Sequence, residues 1–316
     1  MIVVIAAMLP YLEGDSMKTR SDFKQPILTL LALLAPVAIF IAAAPTETKN
    51  PIKPPEKDQI PVAFLISDGA VVIDFCGPWE VFQDVNIPSR QDQPFRLYTV
   101  AETKKPIRTS GGMQIVPEFT TADAPSPKVI VIPAQSAPSE AVLEWLRKSS
   151  KATDVTMSVC TGAFVLAKTG LLDGKSATTY HGAFGSFAMK FPNIELKRGA
   201  RFVENGNLAT AGGLSSGIDL ALRVVERYYG RDVAQKTAYD LEYQGQGWTN
   251  PDSNNVYAGM PVSTAEHPLC AVCSMDVDPK IAPKSVYKGK TYYFCSDNDK
   301  KTFDSGPEHF VSASVQ

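Results

Sequence analysis

Short apolar runs alternate with longer amphipathic segments through the middle of the chain. The runs are rich in valine and isoleucine, which is typical of strands buried on both faces of a parallel sheet. They occupy residues 62–67, 95–100, 129–132, 155–159, 177–180 and 208–210. Helical spacing is clearest in residues 139–148 and 214–229, and Gly230 is a stop signal for the second of these helices. The alternation predicts an α/β fold, a mostly parallel sheet with helices on both faces.

One turn signal interrupts this pattern. Asn205-Gly206 separates residues 201–204 from residues 207–210, and this dipeptide favours a type I′ β-hairpin. We therefore expect one antiparallel pair of strands near the end of the sheet.

Composition and charge argue against nucleic-acid binding as the function of this chain. The 316-residue chain is 44% hydrophobic and 20% charged, with a formal net charge of −2, an ordinary globular profile. It has no basic block of the kind that binds nucleic acid. No helix-turn-helix pattern follows Tyr239, which argues against a DNA-binding regulator.

The N-terminal segment has the form of an export signal. Residues 27–44 are apolar, end in small residues and follow a basic stretch. The basic residues of the preceding stretch are Lys18, Arg20 and Lys24. Pro45 opposes cleavage after Ala44, so the segment is either a cleaved signal peptide or a retained membrane anchor. Either form predicts an extracytoplasmic protein, periplasmic or secreted.

Cys160 stands between the apolar run 155–159 and a helical segment that contains Gly162. A cysteine at a sharp strand-to-helix turn is a nucleophile elbow. The helix N-terminus is expected to lower the pKa of the thiol, so that part of it is thiolate near neutral pH. Gly162 would let the helix pack closely on its strand. The alternative role for Cys160 is a small buried hydrophobe.

Asp74 is the candidate partner of this thiol. It follows the first strand, and Pro78 is predicted in the first turn of the next helix, which places Asp74 just before that helix. The carboxyl ends of strands are where sites form in open α/β sheets. A carboxyl beside a thiolate resists ionisation, so Asp74 can donate or accept a proton. Its alternative role is a helix cap, and Cys76 is expected to pack.

These segments, with residues 174–181 and 210–221, resemble the ThiJ/PfpI superfamily over roughly residues 61–230. The isonitrile-hydratase-like branch and the amidase-like domain of AraC-type regulators are the most similar. The resemblance implies a flavodoxin-like, class I glutamine-amidotransferase-like fold and a homodimer. It also implies Cys160 as nucleophile, Asp74 as its carboxylic partner and the backbone N–H of Thr161 as an oxyanion donor.

The chain departs from this family in two places. Many members carry Pro-Gly-Gly where this chain has Pro133-Ala134-Gln135, so the second oxyanion donor would be the backbone N–H near Gln135. Tyr180 stands where many members have histidine, and His181 follows one place later. A glutaminase-type triad is therefore not expected. His181 would either reach the site or have a packing or surface role.

The C-terminal segment carries a metal-ligand spacing. A Cys-x-x-Cys pair is followed by a third cysteine and, one helical turn later, an aspartate. These residues are Cys270, Cys273, Cys295 and Asp299. The segment resembles the YHS domain, a small treble-clef-like module linked to metal handling, whose usual fourth cysteine is replaced by Asp299. A carboxylate in this set favours zinc or another divalent metal over Cu(I).

Three alternatives remain for this module. His267 or His309 could complete the ligand set, packing alone could hold the fold, or Cys270 and Cys273 could form a disulfide in an oxidising compartment. The sequence thus divides into five parts. They are a signal or anchor at 1–44, a linker at 45–60, a ThiJ/PfpI-like domain at 61–243, a second linker at 244–267 and a YHS-like module at 268–316.

Two function classes fit these observations. The first is an exported, cysteine-dependent enzyme that acts on a small molecule without a cofactor in its catalytic domain. Isonitrile hydration is the reaction favoured, with amides or aldehydes as other substrates. The alternative is a non-enzymatic extracytoplasmic protein that uses Cys160 as a redox sensor and the C-terminal module as a metal site.

Overall fold

The structure, a computed structural model, describes residues 50–259, 263–273 and 275–310. The predicted signal or anchor lies outside these residues. Within the described ranges, no helix has the length and apolar content needed to cross a bilayer. The described residues belong to one compact unit.

Thirteen strands are present among the described residues. In chain order they are β1 (Ile60–Leu65), β2 (Phe95–Ala101), β3 (Ile107–Arg108), β4 (Gln114–Ile115), β5 (Phe119–Thr120), β6 (Val129–Ile132), β7 (Val155–Val159), β8 (Ser176–Ala177), β9 (Glu195–Leu196), β10 (Phe202–Asn205), β11 (Leu208–Ala211), β12 (Lys284–Tyr287) and β13 (Lys290–Tyr293). Seven of them form the main sheet in the order β10-β11-β7-β6-β1-β2-β5. All its pairs are parallel except β10 with β11.

Helices cover both faces of this sheet. The α-helices are α1 (Val72–Gln83), α2 (Glu140–Ser149), α3 (Gly162–Lys168), α4 (Phe184–Lys190), α5 (Ser216–Tyr229), α6 (Arg231–Asp240) and α7 (Asp297–Asp304). Helices α1, α5 and α6 pack on one face, and α2, α3 and α4 pack on the other. Because strands between two helical layers must be apolar on both sides, β6 and β7 are buried at every position. The predicted α/β architecture is confirmed.

Local signals set several element boundaries correctly. The side chain of Ser139 accepts a hydrogen bond from the Val142 N–H at 3.4 Å and caps α2. Helix α5 ends at Gly230, whose φ of 87° only glycine adopts without strain. The β10–β11 hairpin also forms as predicted. Asn205 pairs with Leu208, so the central residues of the turn are Gly206 and Asn207. A type I′ turn needs a positive φ at both, and only Gly206 has one, so the turn is not of type I′.

The start of α1 differs from the sequence prediction. The helix begins at Val72, so Pro78 lies inside it and Asp74 lies in its first turn. The backbone N–H of Val71 donates to the Ala134 carbonyl at 2.9 Å, which ties the entry of the helix to the end of β6. Because this tertiary contact starts the helix at Val72, Pro78 falls in its interior. Proline has no N–H, so the helix lacks one backbone hydrogen bond at that position.

The predicted strand at 177–180 is also shorter than expected. Only Ser176–Ala177 is a strand, and it pairs with Glu195–Leu196 outside the main sheet. The backbone N–H of Thr178 donates to the Thr210 side chain at 2.8 Å instead of to a strand neighbour. A side-chain acceptor thus replaces the strand ladder where the chain turns toward Tyr180.

Gly162 is required by a close approach of backbones. A Cβ at this position would lie 2.1 Å from the Ile132 carbonyl oxygen and 2.8 Å from that of Pro133. The sequence predicted close packing of α3 on its own strand. The contact is instead with the end of β6, the neighbouring strand.

The C-terminal module contains a hairpin and a helix. Strands β12 and β13 pair antiparallel, and the side chain of Ser296 caps α7 by accepting from the Asp299 N–H at 3.1 Å. Its buried core is small. It consists of Cys270, Cys273, Phe294 and Phe303.

Candidate functional site

Cys160 occupies a strained turn between β7 and α3. Its φ is 58°, in the left-handed region that non-glycine residues rarely adopt. Two hydrogen bonds hold this conformation: the Cys160 N–H donates to the Gly212 carbonyl at 2.8 Å, and the Thr179 hydroxyl donates to the Cys160 carbonyl at 2.8 Å. The geometry is that of the predicted elbow.

Asp74 is fully buried beside this thiol. One carboxyl oxygen, Oδ2, accepts a hydrogen bond from the backbone N–H of Ala134 at 3.0 Å. The other, Oδ1, has no hydrogen-bond partner at normal distance and angle among the described residues. Burial raises the pKa of Asp74 to about 6, against the opposing effects of the Ala134 N–H and the Cys160 thiol. The direction of this shift agrees with the expectation from the sequence, but its cause is burial and not a neighbouring thiolate.

The expectation of a thiolate at Cys160 is wrong for this site. Burial and, after it, the charge of Asp74 raise the pKa of Cys160 to about 12, although the N–H groups of Thr161 and Leu214 oppose this. The thiol is only 5% exposed, so loss of hydration outweighs the dipole of the short helix α3. At neutral pH the carboxylate is ionised and the proton stays on sulfur.

Replacing Asp74 with asparagine is expected to lower the pKa of the Cys160 thiol. The substitution removes a negative charge that raises this pKa, while the amide oxygen can still accept the Ala134 N–H. Burial should keep the pKa above that of a free thiol. The rate of Cys160 alkylation by iodoacetamide, mapped by mass spectrometry across pH, measures this change. A pKa that stays unchanged or rises would contradict the electrostatic account.

Thr161 and Gln135 meet at one cavity of about 330 Å³. The N–H of Thr161 faces the Cys160 thiol, where it lowers the pKa of that thiol. The side chain of Gln135 donates a hydrogen bond to the Leu65 carbonyl at 3.1 Å, which holds Gln135 in place beside Ala134. The structure therefore brings all four residues predicted for the site to the same edge of the sheet.

One contributor was not predicted from the sequence. Leu214 has a φ of 45°, and its N–H is a second donor to the Cys160 thiol. It follows Gly212-Gly213 in a segment that carried the family resemblance without an assigned role. The glycine pair was the available signal, because a backbone N–H can be aimed into a site only where the chain bends sharply.

Tyr180 and His181 lie beside the elbow without forming a triad. Burial raises the pKa of Tyr180, with the Cys160 charge as a further cause, and burial lowers the pKa of His181. The His181 ring stacks on Tyr257 with centroids 4.8 Å apart. Among the described residues, no hydrogen bond joins His181 to Cys160. The packing role weighed for His181 is therefore the one observed.

A buried ion pair supports the edge of the sheet next to Leu214. The Arg201 Nε donates to Asp219 at 2.6 Å, and Asp219 also accepts from the Tyr243 hydroxyl at 3.0 Å and the Trp248 N–H at 2.8 Å. Arg201 donates in addition to the Ser215 hydroxyl at 2.9 Å. This network ties the segment predicted as the second linker to the start of α5.

The predicted metal ligands form one cluster. The donor atoms of Cys270, Cys273, Cys295 and Asp299 all lie within 4.8 Å of one another. The Cys273 and Cys295 sulfurs are 3.4 Å apart, and an oxygen of Asp299 is 3.4 Å from the Cys270 sulfur and 3.3 Å from that of Cys295. Zinc–ligand distances of about 2.0–2.3 Å in a tetrahedron require separations of about 3.5–3.8 Å, so the set could hold such an ion.

The alternatives for this module are partly settled. All five cysteines are free thiols, including Cys270 and Cys273. A hydrogen bond from Cys273 lowers the pKa of Cys270, and the same interaction raises the pKa of Cys273. His267 pairs with Asp276 at 3.3 Å and is not in the cluster, and the side chain of His309 is outside the described residues.

Comparison with known proteins agrees with this architecture. The family model "DJ-1/PfpI family" matches residues 61–227, and the model "YHS domain" matches residues 271–314. The isonitrile hydratase of Pseudomonas putida is 33% identical over 187 residues, which cover 58% of this chain and 78% of that protein. The HTH-type transcriptional regulator GbdR of Pseudomonas aeruginosa is 21% identical, and the match covers 58% of this chain but only 50% of the regulator.

A solved structure shows the same fold. The ThiJ/PfpI family protein from Pseudomonas syringae has a TM-score of 0.53 and 24% identity, and the match covers 66% of this chain and 85% of that protein. The family model spans Asp74, Cys160 and the strands of the main sheet from Pro61 onward. The chain therefore belongs to the DJ-1/PfpI family and carries a YHS domain at its C-terminal end.

Proposed function

We propose that this protein is a cysteine-dependent enzyme that hydrates a small molecule, with isonitriles as the substrate class. One observation carries the proposal: the Asp74 carboxyl and the Cys160 thiol are buried side by side, with the thiol on a strained elbow. The pKa of Asp74, raised to about 6, leaves the carboxyl ionised at neutral pH, while the raised pKa of Cys160 keeps the proton on sulfur. This is the resting state needed for a nucleophile activated by a neighbouring base. The similarity to the isonitrile hydratase of Pseudomonas putida supports the choice of substrate.

The proposed reaction begins with proton transfer to Asp74 as sulfur attacks. The Cys160 sulfur bonds to the isonitrile carbon, and Asp74 returns the proton to that carbon, which gives a thioimidate, R–N=CH–S. Water then adds to the carbon, with one proton passing to nitrogen. The C–S bond breaks to release the formamide R–NH–CHO, and Cys160 recovers its proton. The balance is one isonitrile and one water consumed for one formamide formed, with no redox change.

Backbone donors would stabilise the charge that develops in these steps. The N–H of Thr161 already faces the Cys160 sulfur, and the chain at Gln135 lies on the same cavity. Fixed N–H groups in a water-poor site stabilise a developing negative charge more strongly than they would in water. No cofactor is needed for any step.

The pH dependence follows from Asp74. Its pKa is raised to about 6, and only the ionised form accepts the thiol proton. We therefore expect the rate of hydration to fall as the pH drops through about 6 and to be nearly constant between pH 7 and 9.

The proposal is tested by incubating the full chain with cyclohexyl isocyanide. Formation of N-cyclohexylformamide, together with a covalent mass increase on Cys160 equal to one isonitrile, is the expected result. Product without any dependence on Cys160 would contradict the mechanism. Absence of both product and adduct would reject isonitriles and direct the assay to amides and aldehydes.

The competing role as a redox sensor has less support. Oxidation of cysteine requires the thiolate, and the pKa of Cys160 is raised to about 12. The sequence also supports export, which we propose for the whole chain. The mass of the mature N-terminus, measured on protein recovered from the periplasm or the membrane, would distinguish a cleaved signal from a retained anchor.

A further inference from the structure

The cavity beside the elbow is shared by the core domain and the C-terminal module. One wall is formed by Thr161, just before α3, and by Phe164, Val165 and Lys168 of that helix. The facing wall includes Cys273, Cys295 and Asp299, three of the four residues in the metal-ligand cluster. Gln135, Thr161 and the cluster therefore line the same space, and Thr161 is the residue that follows Cys160.

The lining of this cavity selects for an apolar body. Besides the α3 residues, it contains Ala137, Pro138, Phe191 and Met275. Gln135 and Thr161 are among its polar residues, and the Thr161 N–H faces the Cys160 thiol. A volume of about 330 Å³ suits a small molecule of one ring or a short branched chain, since ligand pockets begin at roughly this size.

The charges around the cavity favour a neutral ligand. Four anionic ligands around a divalent ion leave an excess of two negative charges. Lys168 and Lys190 lie on the same cavity and match that excess in number. The Lys190 ammonium also sits 5.8 Å from the centre of the Phe164 ring, over the apolar wall. The two lysines therefore balance the charge of a cluster that holds a divalent ion, and a charged ligand is not required.

We propose that this cavity is the ligand cavity of Cys160 and that divalent metal binding in the cluster closes its outer wall, which makes access to Cys160 metal-dependent. The inference rests on the proposed function for its ligand class, a neutral molecule with an apolar body. Four side chains form the buried core of the module, so a metal that joins Cys270 and Cys273 to Cys295 and Asp299 orders the wall that these residues build. Coupling of this kind is reciprocal, so the ligand must also tighten metal binding.

The test measures thiol reactivity and not turnover. The full chain is alkylated with iodoacetamide with and without one equivalent of Zn²⁺, and the rate at each cysteine is read by mass spectrometry. We expect zinc to protect the cluster cysteines and to slow alkylation of Cys160 by about fivefold or more. Cys76 lies in a separate groove between α1 and α5 and serves as the internal reference, with an unchanged rate.

Matched variants separate the cluster from direct zinc binding at Cys160. Asp299→Asn should weaken zinc binding by about tenfold or more and remove the protection of Cys160 at one equivalent of zinc. Asp297→Asn changes an exposed carboxyl on the same helix and should behave as the parent chain. N-cyclohexylformamide, a neutral product analogue, should increase zinc affinity in a chelator competition with the parent protein.

Two outcomes would overturn the proposal. Zinc that protects the cluster cysteines but leaves the Cys160 rate unchanged would show that the wall does not control access. Failure of zinc to protect the cluster cysteines would show that the cluster does not bind zinc, and metal-dependent access to Cys160 would then be excluded. Neither outcome bears on isonitrile hydration, since an active enzyme can fail this test and an inactive one can pass it.

Discussion

Replacing Cys160 with serine is expected to reduce kcat/KM for an isonitrile by about 10⁴-fold or more, while the protein stays folded. Serine fits the same volume, but its hydroxyl is a far weaker nucleophile toward carbon, and removal of a nucleophile typically costs this much. The turn should survive because its hydrogen bonds involve the backbone of residue 160 and the Thr179 hydroxyl. Formamide production measured by mass spectrometry reports the rate, and thermal unfolding reports the fold.

Cys76→Ser is the matched control for this substitution. Cys76 is half-buried in α1, and its thiol is not part of the elbow. The same chemical change there should leave kcat/KM within about twofold. If the Cys160 variant kept more than a tenth of the parent activity, a sulfur nucleophile would be excluded.

Replacing Asp219 with alanine is expected to lower the free energy of unfolding by about 3–5 kcal/mol. Asp219 is fully buried and accepts hydrogen bonds from Arg201, Tyr243 and Trp248. Its loss leaves the Arg201 guanidinium largely buried with no charged partner in this network, the costly way to break a buried pair. Urea unfolding measures the change.

Two further variants test the cause of that loss. Asp232→Ala removes an exposed carboxyl from the first turn of α6 and should cost less than about 1 kcal/mol. Adding Arg201→Met to the Asp219→Ala chain should recover part of the stability, since the buried charge is then gone. A double variant no more stable than Asp219→Ala would locate the cost in the lost hydrogen bonds.

Local sequence signals predicted most of the elements because those elements depend on short-range chemistry. Ser139 and Ser296 cap their helices, Gly230 ends α5, and valine-rich runs form the buried strands. Pro78 misled the prediction because a hydrogen bond from the Val71 N–H to the carbonyl of the distant Ala134 starts α1 earlier than proline would suggest. Boundaries set by tertiary contacts are not visible in a local pattern.

In the candidate site, too, the features set by local sequence were predicted and those set by tertiary contacts were not. The spacing within each pair, a knuckle for Cys270 and Cys273 and one helical turn for Cys295 and Asp299, is local geometry. Together with the resemblance to the YHS domain it was enough to predict the cluster. The protonation state of Cys160 was predicted wrongly because it depends on burial and on Asp74, far away in sequence. The Leu214 donor was missed for a related reason, since any residue type supplies a backbone N–H.

The contact at Gly162 has a consequence for how the candidate site could move. The start of α3 touches the carbonyl oxygens of Ile132 and Pro133, and the next residue, Ala134, holds the Asp74 carboxylate. The thiol, its proton acceptor and the Thr161 donor are therefore joined through backbone contacts without intervening flexible side chains. Such a site is preorganised, with its dipoles oriented before any ligand arrives, and adaptation to different ligands falls to the cavity walls.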